Sequence, residues 1–290
     1  MSSSSTLFHV RSESLPTRPH PIIADIDDQI SRLRSLSEAT NNCSSSSTSL
    51  VHQLNGLQDL HDSVDKLLLL PLTQHLFSQQ NNKKLVEELL DGSLRLLDIC
   101  NTSKDALLQS KEYALQLEST LRRRQSSFHN EVTKYLTSRK MAKKAIHKSF
   151  NNLKSLHVFS SIPNNSSNEI SSIIGILREV QAITLSILKS FMSFVNGRRL
   201  LSSGNKWSLV TKIMIQKRIG CDEESDNTNE FAKVDAALES MVGSNNKSVM
   251  ENEQTLLKDL ELCIHHLEDG TQTLFRRMIK TRVSLLNSFN

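Results

Sequence analysis

The sequence predicts an all-α protein, an elongated bundle of long amphipathic helices. Three observations carry that expectation. Apolar residues recur at steps of three and four through most of the chain, and no segment sustains the period-two alternation of a strand. Glycine and proline are scarce, at 8 and 5 of 290 residues, so few positions break a helix. Aromatic residues make up only 4% while Leu, Ser, Lys and Glu are frequent, which disfavours a β-sandwich or an α/β sheet. The length suits one large domain or two small ones.

Residues 1–24 read as a disordered tail, rich in Ser, Pro and Arg and without periodicity. The tail holds Arg11, Ser14 and Pro16 in the order that 14-3-3 adaptors read once the serine is phosphorylated. There an Arg cluster grips the dianionic phosphate and the proline turns the peptide away. The tail has no apolar signal segment. Its Ser- and Arg-rich composition, with Glu13 the lone acid, also matches a plastid transit peptide.

Residues 25–290 read as one helical domain, with flexible linkers at 41–49 and 160–168. Asp25 caps a first helix through Ala39, with Ile26, Ile30 and Leu33 on one face. Leu50, Leu54, Leu57, Leu60 or His61, Val64 and Leu67 form the next stripe, which Pro71 stops. After a break at Gln79–Asn82, a third stripe runs from Val86 through Leu89, Leu96, Cys100, Leu107, Ala114 and Leu117 to Leu121. Gly92 costs it roughly 1 kcal/mol against Ala. A helix of about forty residues is about 60 Å long and needs partners along its length. Val132, Leu136, Ile146, Phe150 and Leu153 mark a fourth helix.

Ser166 and Glu169 have capping-box spacing and open the most apolar helix, which ends near Gly197. Arg178, Glu179, Gln181 and Lys189 interrupt it, which favours a buried bundle helix over a membrane span. Lys206–Arg218 (KWSLVTKIMIQKR) is a shorter amphipathic helix, and an acidic patch follows with Asp222, Glu223, Glu224, Asp226 and Glu230. Two more helices are expected through Phe231–Met241 and Thr255–Leu286, the latter with a break at Gly270. The long 50–124 stretch mixes threes and fours without strict heptads. It reads as the spine of an intramolecular bundle rather than as a coiled coil.

The net charge of +4 is small for the length, but its distribution is not even. Arg122, Arg123, Arg124, Lys134, Arg139, Lys140, Lys143, Lys144 and Lys148 form a basic surface along 122–148, where Glu131 is the sole acid. Three readings compete for it. It is a solvated face pairing with an acidic protein surface, such as the 222–230 patch. It docks on anionic lipid, at about 1 kcal/mol per Lys or Arg. Or it holds nucleic-acid phosphates. Sparse aromatic interleaving, with Phe128 and Tyr135 alone, and the lack of a reader motif count against nucleic acid.

No residues point to catalysis, a metal or a cofactor. Cys263 and His266 stand at i and i+3, yet a zinc site needs two further ligands at suitable spacing. No nucleophile elbow or phosphate loop is visible. Cys43, Cys100, Cys221 and Cys263 lie far apart, which fits free thiols in a reducing, cytoplasmic compartment.

The collinear segments HVRSESLPTRPHP, GLQDLHDSVDKLLLLPLTQ, ELLDGSLRLLDICNTSKDALLQSKE, VTKYLTSRKMAKKAIHKSF and LEDGTQTLFRRMIKTRVSLLN resemble the plant-specific BYPASS-related family, over about residues 8–289. The resemblance implies a role in root and shoot development. It implies no biochemical activity and no catalytic residues, and it makes the SLP and PHP segments of the tail family features rather than a transit peptide. The resulting expectation is a non-enzymatic helical interaction scaffold, with docking on anionic membrane as the alternative.

Overall fold

The computed structural model describes residues 20–42, 46–123, 128–154, 168–197, 229–243 and 250–289. All eight regular elements among them are α-helices: α1 (Pro21–Asn42), α2 (Ser47–Leu68), α3 (Pro71–Ser78), α4 (Lys83–Arg122), α5 (Phe128–Lys154), α6 (Asn168–Val195), α7 (Glu230–Gly243) and α8 (Met250–Phe289). A single 3₁₀ turn, Gln80–Asn82, joins α3 to α4, and the Asn82 amide ties it to the Leu76 carbonyl at 2.8 Å. The expected Lys206–Arg218 helix lies outside the described residues.

Helix boundaries follow local chemistry. α1 begins at Pro21, four residues before the expected Asp25, because proline at the first helical position already has the right φ and lacks an N–H that would go unpaired. Of the stretch 41–49, residues 41–42 and 47–49 are helical, and 43–45 lie outside the described residues. α1 continues to Asn42, and the Ser46 hydroxyl accepts the Ser49 N–H at 3.2 Å to open α2. Pro71 stops α2 and starts α3. Gly197, at φ +73°, ends α6 and returns its N–H to the Phe194 carbonyl.

Four long helices build the core. α8 packs against α2 and α4, and α6 packs against the same two, so α2 and α4 sit on one diagonal of the bundle and α6 and α8 on the other. α4 runs antiparallel to α8, with Lys111 meeting Glu268 and Ser93 meeting Arg282. α1 covers α2 and α6, α5 lies on α4, and α7 bridges α5 and α8. The apolar stripes read from sequence point inward. Leu50, Leu54, Leu57, Leu60, Val64 and Leu67 of α2 are all buried, as are Ile174, Leu177, Leu188, Phe191 and Val195 of α6. These side chains form one continuous core rather than separate clusters.

α6 is the one described helix long and apolar enough to cross a membrane by length and composition. Its apolar residues contact α1, α2, α3 and α4. α8 shows no break at Gly270. A Cβ there would lie 3.3 Å from the Leu54 side chain, so the glycine serves a close α2–α8 approach inside an unbroken helix. Gly92 does the same on α4, where a Cβ would fall 2.6 Å from Gln181 Oε1. Its propensity cost is offset by the room it gives Gln181 to donate to the Leu89 carbonyl at 2.8 Å.

Two polar knots punctuate the core. At one end of the bundle, His61 of α2 stands between Thr184 of α6 and Thr281 of α8, with ring nitrogens 3.3 and 3.2 Å from the two hydroxyls. The Thr184 hydroxyl gives its proton to the Val180 carbonyl at 2.7 Å, so it accepts from His61 Nε2–H. The Thr281 hydroxyl facing Nδ1 also lies 3.1 Å from the Arg277 carbonyl, and its single proton is shared between these two acceptors. Burial lowers the His61 pKa from 6.5 to about 4, against a smaller opposing pull from Asp62. The second knot belongs to α5.

Candidate functional site

α5 carries the basic stretch singled out in the sequence. Its inner face presents Val132, Tyr135, Ala142 and Ile146 to the core, with Leu136 and Phe150 partly buried beside them. Arg139 sits in the middle of that face and is itself only 2% exposed.

Every nitrogen of the Arg139 guanidinium finds an acceptor. Nε donates to Asp235 Oδ1 at 3.0 Å and Nη2 to Asp235 Oδ2 at 3.1 Å, a two-pronged grip on one carboxylate. Nη2 also donates to the Val195 carbonyl at 2.8 Å, and Nη1 to the Ser110 hydroxyl at 3.3 Å. The Phe231 ring lies 4.7 Å from the guanidinium carbon, within cation–π range. One side chain thus joins α4, α5, the end of α6 and α7. Lys143 adds a second cation to Asp235 at 2.8 Å from its half-exposed position. Tyr135 is fully buried nearby, and that burial raises its phenol pKa.

Arg139 therefore does not belong to the basic surface. A fully buried guanidinium must be paired, and this one is spent on internal packing. Lys143 is half spent in the same way. The remaining basic residues divide further. Arg122 binds Glu118 at 2.5 Å, a contact that raises the arginine pKa, and Lys134 binds Glu131 at 2.8 Å. Arg123 is exposed and its backbone closes α4. Arg124 lies outside the described residues, as do Arg11, Ser14 and Pro16 of the tail. Lys140, Lys144 and Lys148 are exposed on the outer side of α5, and no ion pair reaches them among the described residues. Met141 stands with them at 65% exposure.

The acid that meets the basic helix is Asp235. Of the 222–230 patch, Asp222, Glu223, Glu224 and Asp226 lie outside the described residues, and Glu230 accepts a hydrogen bond from Ser47 at 3.1 Å. Asp235 and Ser110 escaped the sequence reading, which placed Phe231 only as an apolar position of an expected helix. A signal was present: Asp235 occupies an apolar-stripe position between Phe231 and Leu238, and Arg139 fills the gap in the α5 stripe between Val132 and Ile146.

Other polar features lie apart from α5. A cavity of about 40 Å³ beside His61, lined also by Ser93, Gln181 and Arg282, has room for a water or two and no larger guest. Arg282 reaches the Leu90 carbonyl and the Ser93 hydroxyl, the latter at 2.7 Å. Cys263 is buried, which raises its thiol pKa, while His265 and His266 are exposed. No group of three or more metal-binding side chains forms among the described residues.

A comparison with curated proteins and with solved structures yields no match. A family model described as Protein BPS1 matches residues 53–287, which covers α2 from its second turn through nearly all of α8. That span takes in the four-helix core, the Arg139 knot and the outer face of α5. The family is linked to plant development and has no known enzymatic activity. The chain belongs to the BPS1 family.

Proposed function

We propose that the protein is a non-enzymatic helical scaffold of the cytoplasm whose recognition face is the outer side of α5. The observation that carries this reading is the row Lys140, Lys144 and Lys148. It is exposed, and unpaired among the described residues, on a helix whose opposite side is clamped by Arg139, Asp235 and Lys143. The clamp orients the lysines before a partner arrives, so little ordering cost remains at binding. The partner that fits is a protein with an acidic surface.

The test replaces Lys140, Lys144 and Lys148 together by Glu. Lys143 is left in place because its ammonium completes the Asp235 site. The variant should keep its denaturation midpoint, since exposed substitutions away from structural features change stability little. Affinity purification from plant tissue with mass spectrometry should show partners held by the wild type and missing from the variant. Identical partner sets would sink the reading.

Met141 favours a second reading, because an exposed thioether chain among lysines suits insertion at a bilayer surface. In that case the wild type floats with phosphatidylserine vesicles and the triple variant binds on the order of a hundredfold more weakly. Equal flotation of both proteins removes it.

The tail adds a regulatory arm. Phosphorylated Ser14, with Arg11 before it and Pro16 after it, fits the Arg-lined groove of a 14-3-3 adaptor. A peptide of residues 8–20 should bind such an adaptor when phosphorylated at Ser14 and not otherwise. Equal binding of the two forms, or none, removes this arm.

A further inference from the structure

The sulfur side chains whose surroundings the structure describes are shielded, with one exception. Cys100, Cys263, Met192 and Met278 are buried, and Met241 is partly buried against the core. Burial also pushes the Cys100 thiol up to about 12 and raises the Cys263 thiol, so neither presents a thiolate to an oxidant. Met141 stands apart. At 65% it is the most exposed large apolar side chain among the described residues.

The fold holds it there. Arg139, two positions earlier, is tied inward to Asp235 and to the Val195 carbonyl, and Ala142, one position later, is buried. These contacts fix the rotation of α5 about its own axis, so the Met141 thioether cannot turn into the core. On the outer side its helical neighbours are the lysines of the row. Lys140 precedes it, Lys144 lies one turn on and Lys148 two turns on, all exposed.

We propose that Met141 is a reversible oxidation site for hydrogen peroxide, and that its sulfoxide switches off the recognition face of α5. The inference rests on the reading of that face given above and adds its regulation. A lone pair of Sδ forms the S–O bond as the peroxide O–O bond breaks. The proton of the transferred hydroxyl leaves with the departing hydroxide as water, so sulfur is oxidised by two electrons and peroxide is reduced. A methionine sulfoxide reductase reverses the step, with two thiols going to a disulfide and the oxygen leaving as water. The sulfoxide replaces an apolar contact by a polar acceptor beside Lys144, one that competes with a partner's acids for the ammonium groups.

The test treats the full chain with hydrogen peroxide and follows it by peptide mass spectrometry. The Met141 peptide should gain one oxygen at least about tenfold faster than the peptides holding Met192 and Met278. The denaturation midpoint should not move, because the site is exposed. Reductase with a thiol should remove the oxygen. In affinity purification from plant tissue, the partners that depend on Lys140, Lys144 and Lys148 should fall about tenfold after oxidation and return after reduction. Met141→Leu should keep those partners through the peroxide treatment, which removes any part played by other methionines. Met141→Gln, polar and of similar length, should hold about tenfold less of them without peroxide. Oxidation of Met192 or Met278 as fast as Met141 overturns the inference, as do lysine-dependent partners that stay bound to the sulfoxide. Failure of the α5 face itself gives a different result. The wild type and the triple lysine variant then hold the same partners whatever the state of Met141, and the switch falls with the face.

Discussion

Replacing Asp235 by Ala should destabilise the fold by about 3–5 kcal/mol, measured as a fall in the denaturant midpoint at constant slope. The mutation leaves Arg139 charged and buried, with two backbone or hydroxyl acceptors and no counter-ion. The free energy comes from that stranded charge rather than from the intrinsic worth of the pair. An apolar double replacement, Arg139→Met with Asp235→Leu, should therefore recover most of the loss. A double variant as unstable as Asp235→Ala would show that the knot stabilises through its specific bonds. α5 should loosen first in Asp235→Ala, seen as faster amide exchange along 132–146 than in α2.

Acidification should weaken the fold through His61. Its ring is neutral in the bundle, with a pKa of about 4 against 6.5 when exposed. Between those values the unfolded chain takes up a proton that the folded chain refuses. Stability is thus full above pH 6.5, falls as pH drops toward 4, and levels off below. The gap corresponds to about 3 kcal/mol, at about 1.4 kcal/mol per pH unit. Urea titrations at pH 7 and pH 4.5 should show it, and His61→Gln should lack that part of the slope while being less stable at pH 7. An unchanged slope in His61→Gln would assign the acid sensitivity elsewhere.

The architecture was legible because it depends on periodicity. Leu50 to Leu67 and Ile173 to Val195 carry enough leucine and isoleucine at helical steps to fix both helix and buried face. Pro71 and Gly197 mark ends whose cause is local. What sequence could not supply is which stripes face one another. Gly270 looked like a break because glycine lowers helix propensity, and its partner Leu54 is more than two hundred residues away. Arg139 looked like one more member of a basic run for a similar reason. Counting charges treats each as exposed, whereas its helical phase with Val132, Tyr135 and Ile146 puts it inward.

The candidate face emerges by subtraction. Nine basic residues along 122–148 reduce to Arg123 and to Lys140, Lys144 and Lys148 once internal pairs and undescribed positions are removed, and the three lysines share the outer side of α5.

The order of packing in the four-helix core has a consequence for biosynthesis. Gln58 donates to the Gly270 carbonyl across 212 residues of sequence, and Ser288 reaches the Leu68 carbonyl across 220. α8 closes the bundle on both α2 and α4, so these helices leave the ribosome with their α8-facing sides bare. At about 5–20 residues per second, the wait for α8 lasts roughly ten to forty seconds. The nascent chain spends that time with open apolar grooves, which makes it a client for chaperones. A premature stop within α8 would leave a product that is helical, unable to close, and prone to aggregate.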